Sequence, residues 1–137
     1  MTEREKNGIS CEGLDQAFQE DEVHKSNLIL EAHYLVASQQ PDTAAQKLAQ
    51  AAEIEERLSD ICLKKGLQEK SFVHRFSAVC CWAQAGNYYD AIRLGDELLT
   101  CSGLSEGLRQ QVQEYTYALR VRRTEGAARM ATSEVEG

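Results

Sequence analysis

The chain has 137 residues, 42% of them hydrophobic, and a net charge of −7, which is enough for one modest domain with a real apolar core. No run approaches the roughly 20 apolar residues that a bilayer span requires. Residues 1–66 carry 13 acids against 7 bases and repel phosphate, so neither a membrane protein nor a nucleic-acid binder is expected.

The opening MTEREKNGIS is charged and polar, with no apolar leader, so a cytoplasmic location is expected. Residues 1–12 read as frayed, and Leu14, Ala17 and Phe18 then form a short stripe. That stripe is either a separate short helix or the start of the next one. From Val23 to Ser38, Leu28, Ala32 and Leu35, with Tyr34 and Val36 beside them, recur at helical spacing. Pro41 stops that segment and suits the first turn of a second helix over Asp42–Lys65. Its core side holds Ala45, Leu48, Ala52, Glu55, Leu58 and Cys62, and Lys64, Lys65 and Gly66 mark its end.

A third helix is expected over Glu69–Ala85, with Phe72, Phe76, Val79 and Ala83 on one stripe. Gly86-Asn87 ends it, because both residue types tolerate the left-handed conformation. A fourth follows over Tyr88–Thr100 through Ala91, Leu94 and Leu98, so the pair forms an antiparallel hairpin. Ser105 is a plausible N-cap for a fifth helix, Glu106–Arg123, carrying Leu108, Val112, Tyr115 and Leu119. Arg120, Arg122 and Arg123 then favour the carbonyl end of that helix, and the chain finishes as a polar tail with at most a weak turn near Ala127–Met130. The division expected is a flexible segment at 1–22, a helical domain at 23–123 and a flexible tail at 124–137.

Residues that carry chemistry are sparse. Cys11, Cys62, Cys80, Cys81 and Cys101 contain no CxxC pair and read as free thiols. His24, His33 and His74 lack metal-ligand spacing; His33 reads as a core or boundary histidine. His74 lies too far along its helix from Cys80 and Cys81 for direct hydrogen bonding, since six residues rise about 9 Å. The acids at 20–22 and 53–56 read as solvated faces, with Glu53 and Arg57 spaced as a helical ion pair. No metal, cofactor or catalytic residue is expected.

Residues 72–103 resemble one tetratricopeptide repeat: Ala78 stands where that family likes a medium apolar residue, and Trp82, Gly86, Tyr88 and Ala91 hold its aromatic, glycine, tyrosine, alanine order across WAQAGNYYDAI. Val79 stands where that family prefers Gly or Ala, Gly95 replaces a large side chain, and Gly103 stands in place of a closing proline. Residues 24–65 are a looser, longer copy, with Tyr34, Ala45 and Leu48 as counterparts of Cys80 or Trp82, Ala91 and Leu94. The resemblance implies an all-α fold: antiparallel hairpins stacked in a short right-handed superhelix, closed by a C-terminal capping helix. A closed four- or five-helix bundle is the competing architecture.

The family's members bind peptides or partner helices on the first helix of each repeat. Carried over, that surface is Val73, Phe76, Cys80, Ala83 and Gln84. It lacks the basic and amide groups that clamp a carboxylate, so an apolar or amphipathic protein segment is the expected partner. The same residues could instead be covered by the first hairpin or by a second copy. Three functions stand in order: a non-catalytic adaptor, a dimeric chaperone of the secretion-chaperone kind, and an all-helical enzyme.

Overall fold

The computed structural model describes residues 14–136; Cys11 and the first twelve residues, expected from the sequence to be frayed, lie outside them. Five helices and no strand occur among the described residues: α1 (Gln16–Ala37), α2 (Pro41–Lys64), α3 (Gln68–Gln84), α4 (Tyr88–Leu99) and α5 (Glu106–Glu136). Each helix packs on the next in sequence.

Two boundaries differ from those expected. Asp15 caps α1, its carboxylate accepting the Phe18 amide at 3.0 Å, so Phe18 belongs to this helix; it and Leu14, just before the cap, are fully buried, whereas Ala17 is exposed. The apolar pattern lapses over residues 19–22 because two of the positions are filled by paired acids: Asp21 accepts from Arg57 of α2, and Glu22 meets Lys25. At the other end, α5 does not stop at Arg123 but continues to Glu136. No proline interrupts that stretch, and its described side chains form no buried stripe. The arginines at 120–123 therefore lie in mid-helix. It is Arg109 that serves a carbonyl end, donating to Leu99 and Cys101 at the close of α4.

Three successive turns share one geometry. Residues 38–40, 65–67 and 85–87 each carry a left-handed residue at the centre: Gln39 (φ 62°), Gly66 (φ 78°) and Gly86 (φ 87°). In each, the following amide reaches back to a carbonyl in the last helical turn: Gln40 to Leu35, Leu67 to Cys62, Asn87 to Trp82, at 2.8–2.9 Å. This is the Schellman closure, and it lets the next helix begin at once in the antiparallel direction. Gln39 adopts, with a side chain, a conformation that glycine takes in the other two.

The core runs the length of the row. Phe18 and Leu28 of α1 meet Ala52, Leu58 and Cys62 of α2 and Cys81 of α3. Ala78 and Val79 of α3 meet Ala91 and Leu94 of α4 and Leu119 of α5, with Trp82 packed beside them. Trp82 thus packs against the same cluster that holds Ala91. At the opposite end, Phe72, Leu98, Leu104 and Val112 close α3, α4 and α5 together. Ser105 caps α5 by accepting the Leu108 amide at 3.2 Å.

The approach of α4 to α5 depends on Gly95. A Cβ there would collide with Cγ2 of Thr116, a fully buried residue whose hydroxyl donates to the Val112 carbonyl. Gly95→Ala is expected to cost about 1–3 kcal/mol through overpacking. Gly107→Ala, in open space within a helix, is expected to be neutral or stabilising by up to about 1 kcal/mol. Urea unfolding of the two variants checks the contrast.

Candidate functional site

The surface expected to bind a partner divides by depth. Val73 is 56% exposed and Gln84 is exposed, whereas Ala83 is buried in the core shared with α4. Phe76 and Cys80 lie half-buried beneath Tyr115 of α5. The Phe76 and Tyr115 rings meet edge to face, 5.8 Å between centroids, and the Tyr115 hydroxyl lies near the Cys80 thiol. Burial, followed by the nearby Cys80, pushes the Tyr115 phenol up to about 12.

Where α3 and α5 begin, they part. The opening is a cleft of about 570 Å³, lined on the α3 side by Glu69, Lys70, Phe72 and Val73. Ser105, Gly107, Leu108 and Gln111 line the α5 side. Phe72, Val73 and Leu108 give it apolar walls, and Gly107 leaves the α5 wall without a side chain. Of the five residues expected from the sequence, Val73 alone lines this cleft. Phe72, Leu108 and Gln111 escape a reading of one repeat at a time, because two of them belong to α5 rather than to the α3–α4 hairpin.

Behind the cleft, α1, α2 and α3 bury a polar seam. Glu55 is 2% and His74 7% exposed, with Nδ1 of His74 2.7 Å from Oε1 of Glu55. The second Glu55 oxygen lies 3.5 Å from the Lys25 ammonium, itself 3.3 Å from Glu22. Phe18 stands edge-on to the His74 ring at 5.7 Å. One helical turn along, the Ser59 and Ser71 hydroxyls each donate to the other residue's carbonyl, at 2.9 and 2.8 Å. Arg75 donates to the Ser59 hydroxyl and to Asp60, and the Trp82 indole donates to Glu56 at 2.7 Å.

Sequence spacing placed the core histidine at His33, which is exposed; the buried one is His74. The signal for it was Glu55, an acid on the core line between Ala52 and Leu58, which requires a buried partner. Arg57 likewise bonds Asp21 of α1 at 3.1 Å, whereas the spacing suggested Glu53.

Donor atoms of Glu22, Glu55 and His74 lie within 4.8 Å of one another, close enough to converge on a metal ion. Lys25 already stands between the two carboxylates as a cation, setting one positive charge against their two negative ones. The described cysteines are free thiols. Burial pushes Cys62, Cys80 and Cys81 upward, Cys81 to about 12, which keeps them protonated and poorly nucleophilic at neutral pH.

Compared with protein-family models, curated proteins and solved structures, the chain matches none.

Two outcomes follow from the seam. His74→Ala strands a buried carboxylate oxygen and is expected to lose about 1–3 kcal/mol in urea unfolding. An unfolded thiol loses its proton near 9.0, whereas Cys81 holds its proton to about 12. The native state therefore binds more protons between those values, and stability falls as pH rises, by at most about 1.4 kcal/mol per unit. Cys81→Ala should reduce that slope in unfolding curves measured from pH 9 upward.

Proposed function

We propose that the chain is a non-catalytic protein-binding module of stacked helical hairpins, built in the manner of tetratricopeptide repeats. The α1–α2 and α3–α4 hairpins form the stack and α5 closes it. The partner is an apolar or amphipathic segment seated between α3 and α5. The observation that carries this reading is the cleft itself, lined by apolar Phe72, Val73 and Leu108 together with polar Glu69, Lys70 and Gln111. An amphipathic helix presenting apolar residues every three or four positions matches that pattern, its polar face turned to water.

Support also comes from the way alternate helices touch. Phe18 of α1 reaches His74 of α3, and Phe76 of α3 reaches Tyr115 of α5. In a stack of hairpins the first helix of each unit lies against the first helix of the next, and these two ring contacts have that character.

Selection from a displayed library of random peptides tests the proposal and reveals the preferred binding pattern in the same step. Enriched peptides should carry apolar residues at helical spacing and perturb the amide signals of residues 69–73 and 105–111. Val73→Glu, at an exposed position, should weaken their binding at least tenfold with the fold intact. Peptides that bind the variant as tightly as the parent, or that perturb another surface, would remove the cleft from consideration.

A further inference from the structure

The first and last helices each present a face that no other described helix covers. On α1, Val23, Leu30 and Tyr34 are 61%, 66% and 71% exposed. Steps of seven and four residues set them in one line, opposite the side that buries Leu28 and Ala32. Glu20 and Glu31 border one side of this line, Glu31 also pairing with Lys47 of α2 at 3.4 Å, and α1 with α2 carries nine acids against four bases.

On α5, Leu119 is the last buried side chain among the described residues; from Val121 to Met130 every residue is exposed except half-buried Gly126. The helix thus runs on for residues 121–136, roughly 24 Å at 1.5 Å per residue, beyond the last buried contact among its described side chains. Arg120 pairs with Asp96 of α4, but Arg122, Arg123 and Arg129 make no ion pair among the described residues. These arginines are denied the helix-terminal role that would explain them, because the helix continues beyond them. The core-facing line of Val112, Thr116 and Leu119 proceeds through Arg123, Gly126 and Met130 into solvent. The acids Glu134 and Glu136 follow the arginines in sequence.

We propose that the α5 extension of one copy docks on the outward line of α1 of a second copy. The arginines face the acids that border Val23, Leu30 and Tyr34, and Met130 joins that apolar line. Gly126 and Ala127 keep the approaching helix slim enough for close contact. The line from Val23 to Tyr34 spans roughly 16 Å, so the extension is long enough to cover it. The two surfaces are unlike, so the association is head to tail and can add further copies. The α3–α5 cleft lies at the other end of α5, at residues 105–111, and stays open.

Sedimentation over a wide range of concentration tests this with two variants at exposed positions, Leu30→Glu and the double change Arg122→Glu with Arg129→Glu. The parent should show an average mass that rises with concentration to at least twice the monomer. Each variant alone should remain monomeric, with circular dichroism and thermal melting unchanged. Mixed in equal amounts, the variants should form a dimer and stop there, because one supplies an intact extension and the other an intact α1. A parent that stays monomeric throughout overturns the proposal, as does assembly that survives either variant or a mixture that fails to associate.

Discussion

The contact between α2 and α3 is the joint on which the rest is mounted, since it links the first hairpin to the second. It is unusual in being both tight and polar. Apolar side chains alone would allow two helices to slide or rotate with little penalty, since many packings bury similar area. Here Glu55 must find His74 and Lys25, Ser59 must find Ser71, and the Trp82 indole must find Glu56. A buried donor or acceptor left alone costs more than a satisfied one gains. Every buried polar side-chain atom among the described residues has a partner, so the register that satisfies one pair is the register that satisfies all.

That joint also sets where the cleft can form. Because α3 is fixed against α2 on one side, its other side is offered to α4 and α5. The α4–α5 connection, residues 100–105, is longer than the other three, and Leu104 turns inward within it to meet Phe72. Tyr115 then closes α5 on Phe76 farther along, while the first turn of α5 stands away from α3. Gly107 adds no side chain to the α5 side of that gap, and Gly95 allows the close approach of α4 to α5 at Thr116.

Much of this was legible in the residues. Helix count, the three short turns, the start of α2 at Pro41 and the cap at Ser105 follow from local chemistry that tertiary structure left in place. The start of α1 and the length of α5 were not legible, for opposite reasons. Over residues 19–22 a helix persists without apolar spacing because ion pairs to α2 and within α1 replace it. Beyond Arg123 a helix persists because no breaker opposes it, although no described side chain there is buried. The histidines show the limit of periodicity: His33 and His74 both sit among apolar neighbours, and only the location of Glu55 on a different helix separates them. Of the cleft lining, Val73 could be read from one helix, but its companions Leu108 and Gln111 come from a segment more than thirty residues away.

The matched turns at 38–40, 65–67 and 85–87 have a consequence for how such a chain can grow or shrink. Each delivers the backbone to the next helix with one stereochemical recipe, independent of which helices it joins. A gene cut and rejoined at the first and last of these corners would exchange, delete or duplicate the pair of helices between them without any connecting segment having to be redesigned, because two reversals restore the chain direction. The corner at Gln39, which keeps a side chain in a glycine conformation, marks the one seam in that series where such an exchange would bring its own correction.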